Sequence, residues 1–344
     1  MKIGSKVIGP TNPVFIIAEA GVNHNNNLSL AFKMIDLAAK SGADAIKFQS
    51  FITDNMQLRD SKKPRYQKKL PWSYYEQLKK SESTFDFQKK LIKHCKKKKI
   101  LFLSTPYDEE SVDFLVKMKI TAFKISASDT TNHIFLKYVA KQKKPIILST
   151  GLSTIDDVDK TMKLLKRLKM KNKLILLQTT SDYPTPNEDV NLRVISEYAK
   201  RYDVLVGLSD HTPDYIASLG AVAMGACILE KHFTLNKKLS GPDQSSSLEP
   251  TEFKNWITKV RTMEIILGDK KKFITNSEKE NLTMRKILVI KPAQKNTKIT
   301  KNLLLAKRGN PHGVLPFEEN INKILGKKLK REINSESQFN WNMI

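Results

Sequence analysis

The sequence predicts an α/β protein: a closed (β/α)8 barrel followed by a small β-rich domain. Eight short apolar runs recur between residues 14 and 232, with amphipathic helical patterns between them. Most of these runs are near-continuously apolar rather than alternating, as expected of parallel strands buried on both faces. Eight strand-then-helix units fit a closed barrel better than a doubly wound sheet.

VFIIAEAG (14–21) is the first run, and the helical pattern LSLAFKMIDLAAKSG after it offers Ser29 as a cap and Gly42 as a terminator. DAIKFQS (44–50) is the second. Residues 53–83, with Pro64, Pro71 and Trp72, are too many for an ordinary connection and predict an excursion over the barrel mouth. KILFLSTP (99–106), TAFKIS (121–126) and KPIILSTG (144–151) follow. In STIDDVDKTMKLLKRLKM, Ser153 is placed to cap with Asp156 three residues on, and Val158, Met162, Leu165 and Leu168 form one stripe. KLILLQTT (173–180), DVLVGLSD (203–210) and GACILEKH (225–232) complete the barrel, which is assigned residues 1–268. A polar linker over 269–284 then leads to short strands and turns over 285–344. A module that small buries little surface alone and is expected to dock.

Among 344 residues, 60 Lys and Arg against 35 Asp and Glu leave a net charge of +25. The lysines are scattered in short runs such as Lys96–Lys99 and Lys270–Lys272, without interleaved aromatic residues for base stacking. A solvated lysine-rich surface is therefore expected, and no nucleic-acid partner. Cys95 and Cys227 are far apart and lack CxxC spacing, so neither a disulfide framework nor a cysteine zinc site is indicated, which fits a reducing cytoplasm. MKIGSKVIGPTNP has no apolar leader core, and no run approaches the ~18 apolar residues of a membrane span. A cytoplasmic protein with no membrane partner is expected.

Active sites of such barrels lie at the C-terminal ends of the strands. The residues closing the runs are mostly polar: Glu19, Lys47 with Gln49, Ser104 with Thr105, Lys124 with Ser126, Ser149 with Thr150, Thr180 with Ser181, Ser209 to His211, and Glu230 with His232. A purely structural barrel has no need of so many charged groups on one rim. Strand alternation puts Glu230 and His232 on one side and Lys231 on the other. His211, Glu230 and His232 then make a His/Glu/His set, the ligand chemistry of a divalent metal. Spacing alone leaves equally open two ordinary surface histidines.

FIIAEAGVNHN (15–25), IKFQSF (46–51), LFLSTPYD (101–108), FKIS (123–126), KPIILSTG, YPTPNEDVNL (183–192), GLSDHTPD (207–214), LEKHFT (229–234) and GPDQSSSLEP (241–250) carry a further signal together. In content and order they resemble the sialic acid synthase family, enzymes that condense phosphoenolpyruvate with an N-acylated amino sugar. KRGNPHG (307–313) resembles the most telling segment of that family's antifreeze-like (SAF) domain.

The resemblance implies that His211 and His232 hold Mn²⁺ or Mg²⁺, which polarises the aldehyde of the open-chain sugar for attack by C3 of phosphoenolpyruvate. Water then adds at C2, and phosphate leaves by C–O cleavage. Phosphoenolpyruvate binding carries over to Thr105, Lys124, Ser149 and Ser209, and Ser128 and Ser181 are assigned to the same ligand. Lys47 adds positive charge at this anionic site, or is a rim lysine paired with Glu19. The sugar falls to Gln49, Tyr183 and Asp243; the alternative for Tyr183 is a packed turn aromatic. Glu19, Glu230 and Asp129 are the carboxylates for proton transfer, Asp129 standing where relatives carry Glu. Arg308 is implied to reach the partner subunit's site in a domain-swapped homodimer; without the family it reads as a solvated arginine. Two departures stand out: Ala127 where relatives usually have Ser, and Ser181 where some have Asn. His24 lies in a matching segment and is expected near the site. The leading expectation is an N-acetylneuraminate synthase acting on N-acetylmannosamine. A legionaminate synthase acting on 2,4-diacetamido-2,4,6-trideoxymannose is the alternative.

Overall fold

A computed structural model of the chain describes residues 1–68 and 72–344, so Pro71 lies outside the described residues. The chain forms two compact units, Met1–Gly268 and Asp269–Ile344.

The first unit is the expected barrel. Its strands are β1 (Phe15–Gly21), β2 (Ala45–Ser50), β3 (Leu101–Pro106), β4 (Phe123–Ile125), β5 (Ile146–Ser149), β6 (Leu174–Thr179), β7 (Leu205–Asp210) and β8 (Ile228–His232). Parallel ladders run β3-β2-β1-β8-β7-β6-β5-β4, and β3 packs beside β4 to complete the ring. Closure pairs the first strand with the last, Phe15 opposite Ile228 and Glu19 opposite His232.

Alternate residues of each strand point inward, and their chemistry changes along the axis. The lower interior is apolar, with Phe15, Ile17, Leu103, Ile147, Ile175, Leu177 and Ile228 in one cluster. It is plugged from below by Ile3 and Ile8 of the segment around a short N-terminal hairpin, Lys2–Ile3 with Lys6–Val7. Two residues further along the same inward faces stand Glu19, Lys47, Thr105, Lys124, Ser149, Ser209 and Glu230, all buried. A larger apolar cluster fills the space between strands and helices, including Ile16, Ile46, Leu148, Leu176, Leu208 and Leu229.

Two helix starts differ from expectation. The helix Leu28–Ser41 is capped by Asn27, whose side chain accepts from Leu30 N, so Ser29 lies inside its first turn; Gly42 ends it at φ 95° as expected. The helix Ile155–Arg167 is capped by Thr154 in a capping box with Asp157. Ser153 instead turns its hydroxyl back to Gly151 O.

The long gap after β2 contains the helices Thr53–Met56 and Tyr74–Ser81, the second capped by Ser73 with Glu76. Asn26 anchors its end by donating to Lys80 O and Glu82 O. Arg65 ties its middle to Asp182 at 2.6 Å.

In the second unit β9 (Lys286–Ile290) pairs antiparallel with β10 (Leu304–Arg308) and β11 (Ser337–Gln338). Its own core gathers Leu288, Ile290, Ile299, Ile324, Leu329, Ile333, Phe339 and Met343. Among the described residues, no helix is long and apolar enough to cross a membrane.

Candidate active site

The polar layer opens into a cavity of 560 Å³ at the C-terminal mouth of the barrel. That volume suits one or two small polar molecules. Every barrel residue assigned a role above lines it, from β1 round to Asp243; Arg308 belongs to the second unit, exposed at the end of β10 opposite Lys286.

The floor is a cluster of alternating charge. Lys47 Nζ lies 2.7 Å from Glu19 Oε2 and 3.7 Å from Glu230 Oε1, and Lys124 Nζ lies 3.6 Å from Glu230 Oε1. Lys47 also donates to Thr105 Oγ1 at 3.1 Å and Lys124 to Ser149 Oγ at 2.7 Å, while Ser209 donates to Glu230 at 2.9 Å. Lys47 is thus paired with Glu19, but inside the barrel rather than on its rim: it is 3% exposed. Burial pushes the Glu19 carboxyl up to about 7, with the Glu230 charge adding to the effect and Lys47 opposing it. Burial acts on Glu230 too, but Lys124 and Lys47 outweigh it and hold that carboxyl below its ordinary value. The Lys124 ammonium is brought down to about 8 by burial. The floor therefore keeps cationic donors beside hydroxyls, a setting for anionic oxygens.

Above it stand the histidines. The His211 and His232 rings lie 5.4 Å apart, with Tyr183 tilted on His211 at 4.2 Å and edge-on to His232 at 5.3 Å. Burial drives His211 down to about 4 and His232 well below its ordinary range, so both rings are neutral. His211 Nδ1 lies 2.7 Å from Thr180 O, a carbonyl that only accepts; the proton is therefore on Nδ1, and Nε2 keeps its lone pair. Buried His232 Nδ1 has no hydrogen-bond partner among the described residues and lies 4.0 Å from Asp243 Oδ2. Two neutral imidazoles, one with an orphaned nitrogen, fit a divalent cation completed by oxygen ligands. Asp243 is raised to about 6 by burial.

The expected His/Glu/His set is corrected. Among the described residues no group of three or more His, Cys, Asp or Glu gathers at metal-ligand spacing. Glu230 is drawn toward Lys47 and Lys124 and bonded by Ser209 instead. Other rim residues also point elsewhere. Ser104 bonds Ser50 and Phe48 O, and Thr150 bonds Tyr198 and Leu177 O. Thr180 donates to Asp189 O, and Asp210 faces outward to Lys231. His24 does not line the cavity; it packs against Phe48 and Phe87, its ring accepting from Asn26 N.

At the wall near β4, Ser126 and Ser128 flank Ala127 along the cavity, their hydroxyls 3.0 Å apart. Ser181 Oγ lies over Gly151, where an added Cβ would meet it at 2.4 Å. Asp129, raised by burial, accepts from Asn132 at 2.9 Å. Sequence reasoning missed Tyr107, Asn132 and Tyr74, which also line the cavity. The first two directly follow β3 and the turn after β4, a placement that rim reasoning could have extended to them. Tyr74 comes from the excursion, and only the fold brings it here.

Fold and cavity together define a class: barrel proteins whose C-terminal mouth stacks neutral imidazoles over a floor of buried lysines and hydroxyls. The chain belongs to the NeuB family, whose model matches residues 34–272. It is 42% identical over 324 residues to the N,N′-diacetyllegionaminic acid synthase of Campylobacter jejuni, covering 92% of this chain and 97% of that protein. It is 36% identical over 327 residues to the N-acetylneuraminate-9-phosphate synthase of Homo sapiens, covering 94% and 90%. Among solved structures it is similar to the N-acetylneuraminic acid (sialic acid) synthetase of Leptospira borgpetersenii in complex with citrate. That likeness has a TM-score of 0.72 at 33% identity and covers 82% of this chain and 94% of that one.

Proposed function

We propose that the chain condenses phosphoenolpyruvate with an N-acylated amino sugar and water, giving a nine-carbon nonulosonic acid and phosphate. The observation that carries this is the cavity floor, where Lys47 and Lys124, each bonded to a hydroxyl, lie beneath two neutral histidines. Lys124, Ser149, Thr105 and Ser209 hold the carboxylate and phosphate, with Lys47 adding charge and Ser128 and Ser181 closing the outer side. Gln49, Tyr183 and Asp243 hold the sugar with its aldehyde toward C3 of phosphoenolpyruvate. A divalent cation, Mn²⁺ or Mg²⁺, held by His211 and His232 supplies Lewis-acid polarisation of that aldehyde.

As the C3–C bond forms, positive character develops at C2 of phosphoenolpyruvate, and water adds there. Glu230, kept ionised by two lysines, is suited to take the proton this water gives up. Glu19, raised to about 7 by burial, is suited to hold a proton and return it to an oxygen, and Asp129, whose carboxyl burial also raises, faces the same cavity. Phosphate then leaves with its bridging oxygen, and the C2 hydroxyl collapses to the ketone of the product.

N-acetylmannosamine, giving N-acetylneuraminate, is the proposed acceptor. The 42% identity to a legionaminic acid synthase favours a second reading, with 2,4-diacetamido-2,4,6-trideoxymannose as acceptor. Arg308 is proposed to complete the site from the partner subunit of a domain-swapped homodimer.

Phosphate release is measured with phosphoenolpyruvate, Mn²⁺ and each sugar in turn, and the product identified by mass. Turnover should be lost on chelation, restored by Mn²⁺ and absent in His211→Ala, which folds normally. If neither sugar gives phosphoenolpyruvate-dependent phosphate release, the proposal fails; activity surviving both chelation and His211→Ala removes the metal assignment.

A further inference from the structure

Behind the histidine strands lies a buried charge pair that the proposed chemistry does not use. Ser209 of β7 and Glu230 and His232 of β8 face the cavity, so Asp210 and Lys231 face the helix layer, beside the apolar cluster that holds Leu208 and Leu229. There Lys231 Nζ lies 2.9 Å from Asp210 Oδ2, the side chains 3% and 0% exposed. Removing two charges from water is costly, and well-packed apolar residues would commonly serve stability as well or better. Stability alone therefore gives no reason for the pair.

Its bonds converge on one residue. Asp210 Oδ1 accepts from Thr212 N at 2.9 Å and from Thr212 Oγ1 at 2.7 Å, and Lys231 Nζ donates to Thr212 O at 2.8 Å. Ser218 Oγ donates to Asp210 Oδ2 at 2.5 Å. Thr212 is thus held at its N–H, hydroxyl and carbonyl, and His211 is the residue between it and Asp210. On β8, Lys231 directly precedes His232, and the ladder sets Lys231 opposite Asp210. The pair therefore ties the strand ends together one residue short of each histidine. His211 is held further by Thr185 N, which donates to its carbonyl at 3.0 Å, and by the bond from its ring to Thr180 O.

We propose that Asp210 and Lys231 are positioning residues that set the separation and orientation of His211 and His232, and through them the affinity of the divalent cation. This rests on the reading of those histidines as metal ligands. Groups that orient metal ligands typically contribute 10- to 100-fold to metal affinity.

The test is calorimetric titration of Mn²⁺ into chelator-stripped full-length protein, with thermal unfolding of the same samples without metal. The double variant Asp210→Asn/Lys231→Met removes both charges together, leaving neither unpaired. It should unfold within a few degrees of wild type and bind Mn²⁺ about 10- to 100-fold more weakly. Thr212→Val, which deletes only the hydroxyl held by Asp210, should weaken binding about threefold while lowering the unfolding temperature by no more than a few degrees. Wild-type affinity in a folded double variant overturns the proposal. If the double variant does not fold, Thr212→Val decides, and unchanged affinity there overturns it equally. His211→Ala separates the two failures. If it abolishes binding while the clamp variants bind normally, only the clamp is wrong; if wild type does not bind Mn²⁺, or His211→Ala binds as tightly, the metal reading falls and takes this proposal with it.

Discussion

At the scale of single residues, the barrel interior makes ordinary side chains unusual. Lys124 has almost no water, so its charge is sustained by Glu230 and its donor capacity is directed at Ser149. Lys124→Met should therefore raise the KM for phosphoenolpyruvate about 10- to 100-fold, the worth of a charge-assisted hydrogen bond of ~1.5–3 kcal/mol. Steady-state kinetics at saturating sugar measure this, and an unchanged KM would remove Lys124 from the anion site. His24 makes a different kind of prediction. Burial lowers its imidazole to about 4, so between that value and the ordinary ~6.5 the unfolded chain binds a proton that the folded chain refuses. The stability from keeping this ring neutral is present in full above ~6.5 and is lost as pH falls toward 4, on the order of 3 kcal/mol in all. Urea unfolding at pH 7 and pH 5 should show a smaller acid loss in His24→Leu than in wild type. Equal losses would mean that the ring is solvated.

At the scale of elements, the chain relies on close approach. An added Cβ at Gly207 would lie 2.4 Å from Ile228 O and 2.7 Å from Leu177 Cδ2, so β7 sits against β8 at a distance only glycine permits. Gly207→Ala should cost on the order of 1–3 kcal/mol by overpacking. Calorimetry should register roughly 2–4 °C lost for each kcal/mol, and no change would show that the strands can part. The strands themselves were legible because period-2 inward faces coincide with apolar runs ended by polar residues, as in Ile175–Leu177–Thr179 and Phe15–Ile17–Glu19. The parity that puts Glu230 and His232 inward and Lys231 outward was legible for the same reason. Which of two adjacent hydroxyls faces the cavity was not, since Ser104 and Thr105 differ only by that parity and the run does not fix its phase. Nor were the caps, because Asn27 and Ser29 are equally good donor-satisfiers and the chain's entry angle chooses between them. The fate of Glu230 was hidden for a different reason: its partners Lys47 and Lys124 lie far from it in sequence and meet it only on closure.

At the scale of the whole molecule, the proposed exchange of Arg308 between subunits has a distinctive signature. Arg308→Ala and His211→Ala chains should each be inactive alone. Unfolded and refolded together, they should form mixed dimers with one intact site, and random pairing returns about a quarter of wild-type activity. No recovery would mean that each barrel uses its own Arg308, or none.

The pairing of β1 with β8 also has a consequence in time. Phe15 finds its ladder partner Ile228 more than two hundred residues later, and ribosomes add roughly 5–20 residues per second. A nascent chain therefore carries an open-edged, apolar sheet for roughly 10–40 s before the closing strand emerges. Glu230 and His232 lie on β8 and His211 directly follows β7, so the candidate site is completed only late in the synthesis of the barrel. Until then the unpaired edge of β1 is the part of the molecule most in need of a chaperone.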